Sequence, residues 1–118
     1  MTAEQLAQLS VDDYAKYARQ RFASVRPECP TRHGKSKFRV GDVVTVRFEL
    51  KGYGSEADDR PKLRMIPGME GVVASVNVPP VTGWQENFLC IDYKDPATGK
   101  WERCAASHRK LKLLRRPA

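Results

Sequence analysis

A chain of 118 residues has the length of one domain with a short appendage, and its 41% apolar content supports a modest core. Its 21 Lys and Arg against 14 Asp and Glu leave a formal net charge of +7, which favours acidic partners such as nucleic acid or an anionic protein face, unless the charge serves solubility alone. No run approaches the ~20 apolar residues of a membrane span, no basic segment followed by an apolar one opens the chain, and Cys29, Cys90 and Cys104 are odd in number with no CxxC pair, so a spanning helix, a secretory leader and a disulfide-stapled extracellular domain are not expected and a reducing compartment (cytoplasm, organelle stroma or matrix) is.

Residues 2–25 read as helix. Thr2 with Gln5, and Ser10 with Asp13, pair a hydroxyl with a polar side chain three positions on, the spacing of a capping box. Two helices over 3–9 and 11–25 follow. Leu6, Leu9, Tyr14, Tyr17, Phe22 and Val25 form a stripe that docks on the chain's own core or on a partner. Pro27 and Pro30 stop the helix, and residues 26–37 read as a basic linker. A helical extension with linker over 1–34, followed by a β domain over 35–118, is the expected organisation.

From Phe38 the pattern changes period. Phe38, Val40, Val44, Val46, Phe48 and Leu50 share one parity, and Arg39, Thr45, Arg47 and Glu49 the other, as in a strand with one face on a core. Gly41-Asp42 suits a bend at its start. Residues 51–67 read as a long loop with an acidic run, Glu56 to Asp59, held by Tyr53, Leu63 and Ile66. Pro67-Gly68-Met69-Glu70-Gly71 is a turn launching a second strand through Val78. Phe88 to Tyr93 is a third, apolar on both parities and therefore central or covered by the helices. Asp95-Pro96-Ala97-Thr98-Gly99-Lys100 is a hairpin turn, followed by a strand from Trp101 to Ala105. A short 3₁₀ turn over Ser107 to Lys110 leads to a fifth strand, Leu111 to Leu114, that closes the sheet.

Self-contained chemistry is not legible. There is no P-loop, dinucleotide fingerprint, HExxH or nucleophile elbow. His33 and His108 are the only histidines, and no acid is placed to orient either ring. Cys29 with His33 and Cys104 with His108 make a Cys2His2 set on paper, but positions in a linker and at a strand end account for them without a metal. Catalytic, cofactor and metal residues are therefore expected to be none in this chain.

The order Gly41-Asp42-x-Val44-x-Val46, long loop, Gly68-x-x-Gly71-x-Val73 resembles the start of SH3-like barrels. From Gly41 to Leu114 the pattern is similar to the electron-transport accessory group: the ferredoxin-thioredoxin reductase variable chain first, then the C-terminal part of the nitrile hydratase β subunit, whose helix–linker–barrel order the N-terminus resembles. The resemblance implies a mainly β fold, a five-stranded SH3-like small barrel with an N-terminal helical extension. It also implies a non-catalytic accessory subunit packed on a catalytic protein partner that carries an iron–sulfur cluster or a mononuclear iron or cobalt. Met69, Trp84, Trp101, Tyr14, Tyr17 and Phe22 are the candidate partner contacts, since aromatic and Met side chains are favoured at interface centres. The alternative is a basic KOW-like nucleic-acid or ribosome-binding module, with Arg109, Lys110, Lys112, Arg115 and Arg116 as its contacts.

Overall fold

The computed structural model describes residues 1–22, 28–31, 34–52, 62–78 and 88–117. The N-terminus forms two helices, α1 (Ala3–Ala7) and α2 (Val11–Phe22). Both expected caps form. The Thr2 hydroxyl accepts from the Gln5 backbone while the Gln5 side chain accepts from the Thr2 backbone, and the Ser10 hydroxyl accepts from the Asp13 N–H at 3.1 Å. Asp12 and Asp13 open α2 and Arg19 and Arg21 close it, which complements the helix dipole.

The main sheet has five antiparallel strands: β3 (Val43–Val46), β6 (Gly71–Val78), β7 (Phe88–Lys94), β8 (Trp101–Ser107) and β9 (Leu111–Arg115), in the spatial order β8-β7-β6-β3-β9. Four of them match strands read from the pattern, but the first expected strand, Phe38 to Leu50, is divided: only Val43–Val46 joins this sheet, while Phe38 belongs to β2 (Gly34–Arg39) and Leu50 to β4 (Leu50–Gly52). The Asp95–Lys100 hairpin is present, with Gly99 at φ +71° and the Asp95 N–H donating to the Lys100 carbonyl at 2.9 Å. The 3₁₀ turn η1 (His108–Lys110) joins β8 to β9, capped by the Ser107 side chain. The chain does not close on itself: β9 pairs with β3, and β8 and β9 are the two ends of an open sheet, so a closed barrel is not what the hydrogen bonds draw.

Two further ribbons depart from the sequence reading. Part of the expected linker pairs as β1 (Glu28–Thr31) with β2 (Gly34–Arg39), and the ribbon lies against β6. Pro30 is tolerated because a strand in a two-stranded ribbon has an unpaired edge. The long loop carries β4 (Leu50–Gly52) paired with β5 (Lys62–Met65). Its acidic run lies outside the described residues.

Both faces of the sheet's middle are covered, which is why β3 and the paired parts of β6 and β7 are apolar on both parities. Val43, Val44, Thr45 and Val46 are all buried. Positions paired across strands share a face. Val73, Ile91 and Cys104 therefore share one face, and Val72, Asp92 and Arg103 the other. Helix α2 lies on that second face and presents Tyr14, Ala15 and Ala18 to it, each at most 5% exposed. The expected stripe named tyrosines and leucines; the most buried positions are alanines. They are small because the helix comes close: the Ala15 carbonyl lies 3.0 Å from where a Cβ on Gly41 would sit, and Gly41 also has φ +90°. Leu6, Leu9, Val11 and Tyr17 pack around the edge of this core.

Candidate functional site

Charged groups divide into those fixed by the fold and those left on its surface. The buried carboxylates belong to the first set. Asp92, with its side chain 4% exposed, accepts from the Tyr14 hydroxyl at 2.5 Å and from Arg103 Nε at 2.7 Å and an Arg103 terminal nitrogen at 3.2 Å. Its carboxylate thus ties α2 to the β7–β8 pair. Burial, and then the hydrogen bond to Asp92, push the Tyr14 hydroxyl pKa above the ordinary tyrosine range. The same carboxylate holds Arg103 more firmly protonated.

Aromatic packing reinforces the joint. The Tyr14 and Trp101 rings stack with centroids 3.8 Å apart, and Trp101 Nε1 donates to the Leu6 carbonyl at 2.7 Å. Tyr17 packs tilted against Tyr14, and Lys94 lies 5.8 Å from the Trp101 ring centre. Of the six partner contacts read from the sequence, Tyr14, Tyr17 and Trp101 come together here, in contacts within the chain. Met69 is half-buried, packed against the core in the turn before β6. Trp84 and the Phe22 side chain lie outside the described residues.

Asp42 is the second buried carboxylate. It accepts from the Arg39 N–H and from Arg116 Nε, both at 2.9 Å, and its side chain is 3% exposed. Arg115 is held by Asp12 at 2.8 Å and by Glu70 at 2.7 Å, and this pairing lowers the Glu70 carboxyl pKa below its ordinary range. Arg19 donates to the Pro117 carbonyl. Arg115 and Arg116, two of the five expected nucleic-acid contacts, are therefore engaged in clasping the C-terminus to α2, to the turn before β6 and to Gly41-Asp42.

The other three, Arg109, Lys110 and Lys112, are exposed along η1 and the edge strand β9. The β3–β9 ladder pairs Thr45 with Lys112 and Val46 with Leu111, and continues one rung further because the Arg47 N–H donates to the Lys110 carbonyl at 2.8 Å. Alternation puts Thr45 and Lys112 on one face and the buried Val46 and Leu111 on the other; just beyond the strands, Arg47 and Lys110 are both exposed. Arg47 Nε also donates to the Leu111 carbonyl at 3.2 Å, which steadies its guanidinium over the strand. Among the described residues no carboxylate lies in ion-pair range of Lys110 or Lys112.

Phe48 follows directly and is 63% exposed. Parity put it inward with Val44 and Val46; the strand ends at Val46 and the chain bends at Arg47-Phe48, so the ring leaves the core. Ile66 and Leu114 are 40% and 41% exposed; the Gly68 N–H, two residues after Ile66, donates to the Thr45 hydroxyl at 3.1 Å, and Leu114 lies at the Val43 end of the β3–β9 ladder, away from Phe48. The sequence reading missed Arg47 and Phe48 as surface partners of β9. Only the end of the regular alternation, at Glu49-Leu50-Lys51-Gly52, signals the change.

Other chemistry is sparse. Cys90 and Cys104 are not joined to each other and fall on opposite faces, since Cys90 pairs with Ala105 and Cys104 with Ile91. Burial pushes the Cys90 thiol pKa up, away from the reactive thiolate. Among the described residues no three His, Cys, Asp or Glu side chains gather as a metal site, and no helix is long and apolar enough to cross a membrane. Cys29 and His33, half of the paper Cys2His2 set, lie outside the residues whose side chains are described. No protein family, curated protein or solved structure matches the chain.

Proposed function

We propose that this protein is a non-catalytic binding module on an SH3-like sheet, and that the β3–β9 edge is its contact face for nucleic acid. The strand order supports the SH3-like class. The first strand of the sheet lies between the second and the last, a long excursion separates the first from the second, and a 3₁₀ turn precedes the last. One observation carries the functional reading: the exposed basic side chains of Arg47, Lys110 and Lys112 gather along the β3–β9 edge with no ion-paired carboxylate among the described residues, whereas the neighbouring Arg115 and Arg116 are paired. Uncompensated cations in a row favour a polyanion and release its counterions on binding.

Fluorescence anisotropy with short RNA and duplex DNA across ionic strength tests the reading. Binding at low salt that weakens steeply as salt rises is the expected result. The double variant K110E/K112E should bind far more weakly with an unchanged melting temperature. No binding of either nucleic acid at low salt refutes the reading.

A second reading is an accessory subunit seated on a metal-containing catalytic partner, of the ferredoxin-thioredoxin reductase or nitrile hydratase kind. The exposed apolar side chains of Phe48, Ile66 and Leu114 favour it, as contacts available to a protein partner. Purification from the native source would then bring down a stoichiometric partner with iron–sulfur absorbance or a mononuclear iron or cobalt signal. A lone monomer at native concentration sinks this alternative.

A further inference from the structure

We infer that Phe48 is a base-stacking platform and that the β3–β9 edge takes single-stranded nucleic acid rather than duplex. This deepens the nucleic-acid reading above and rests on it. The ring is the most exposed aromatic side chain among the described residues, at 63%, and it has no role in the core. An aromatic ring left in water beside cations is the arrangement that single strands use: phosphates follow the charges while a base covers the ring.

The geometry fits that division of labour. Arg47 precedes the ring in sequence, and Lys110 faces Arg47 across the ladder. Lys112 lies opposite Thr45, two residues further along β3 and so roughly 7 Å away along the strand. The cations therefore form a short track leading to the ring, and consecutive phosphates of an extended strand can follow it. The turn carrying the exposed Ile66 and Pro67 is tied to Thr45, opposite Lys112, through the Gly68 N–H. A duplex would meet only the cations, since its base faces are stacked inside the helix and cannot reach Phe48.

The readout is anisotropy with labelled oligo(dT), oligo(U) and a duplex of equal length. The wild-type chain should prefer the single strands. Phe48→Ala should weaken single-strand binding roughly tenfold and leave duplex binding unchanged, because stacking on an aromatic ring is lost and the cations remain. Phe48→Trp should restore it. K110E/K112E should weaken both ligands and flatten the single-strand salt slope by roughly 1.4. Phe48→Ala is expected to melt with wild type, which separates loss of contact from loss of fold.

Equal single-strand affinity in wild type and Phe48→Ala overturns the stacking role while the polyanion reading stands. Duplex preferred over single strand overturns it as well. Absence of binding to any nucleic acid at low salt removes both readings together, and tight binding to an acidic protein alone replaces them with a protein contact.

Discussion

Asp92 shows how a single side chain decides a joint. A carboxylate at 4% exposure needs donors, and it has Tyr14 from the helix and Arg103 from the neighbouring strand. Tyr14→Phe removes one donor and keeps the stack on Trp101. The expected loss is about 2 kcal/mol at neutral pH, the usual worth of a hydrogen bond to a charged group. The hydroxyl pKa is raised in the folded state, so the unfolded chain loses this proton first. The contribution is complete below the unfolded tyrosine value near 10 and is lost as pH rises past it. Urea midpoints should therefore show a gap between wild type and Tyr14→Phe that is constant up to about pH 9 and narrows above pH 10. A gap unchanged through the alkaline range would separate the stabilisation from this proton. The turn before β6 supplies a sharper contrast. Gly68 has φ +97° with open space around it, whereas a Cβ on Gly71 would lie 2.6 Å from Ile91 Cγ2 and 3.0 Å from Met65 Cε, inside the core. Gly68→Ala should cost about 1 kcal/mol through backbone strain. Gly71→Ala should cost more, up to about 3 kcal/mol, through overpacking against two buried side chains. Thermal melts of the two variants rank them, and the reverse order would relocate the strain to the turn.

At the scale of elements, periodicity revealed four strands of the main sheet, β3 as the middle of a longer expected strand, and the start of both helices, because hydrophobic alternation and capping chemistry are local. It put Tyr14 and Tyr17 on the docking side but did not single out Ala15 and Ala18, the most buried residues of α2. Tyr14 and Tyr17 are the larger side chains, yet Ala15 and Ala18 are the ones fully buried. Closeness of approach is a property of the pair, helix and Gly41, and has no signature in the helix alone. The β1–β2 ribbon escaped for a related reason: Pro27, Pro30 and the basic residues read as a linker, and only pairing with another segment turns Gly34–Arg39 into a strand. Phe48 shows the opposite error, in which alternation was extended past the bend that ends β3. Tight docking makes a direct prediction. Ala18→Leu inserts volume between α2 and the sheet and should destabilise by about 2 kcal/mol, whereas Lys16→Leu, on the exposed side of the same helix, should change stability little. Chemical denaturation of both variants measures the difference, and equal tolerance would mean that the helix is free to lift.

On the scale of the whole molecule, the two ends of the chain are held on the same sheet. Helix α2 covers the face carrying Val72 and Asp92, and the C-terminal residues reach back to it through Arg115–Asp12, Arg116–Asp42 and Arg19 with the Pro117 carbonyl. The exposed Arg115 pairs are screened by salt and contribute little each, but Asp42 is buried, so Arg116 is the member whose loss strands a charge. The organisation read from the sequence, with an autonomous β domain over 35–118, can be set against this arrangement by removing residues 1–22. Deletion takes away Tyr14, Ala15 and Ala18 from the core, uncovers the apolar face around Val43 and Val72, and leaves Asp92 with Arg103 alone. Each large side chain uncovered forfeits about 1.5–3 kcal/mol of burial, against a total stability of about 5–15 kcal/mol for a domain. The shortened chain should therefore lose its cooperative melt or aggregate, and adding a synthetic peptide of residues 1–22 in trans should restore solubility. A sharp two-state transition in the shortened chain, close to that of the full one, would establish the β domain as self-sufficient and reduce the helices to an accessory layer.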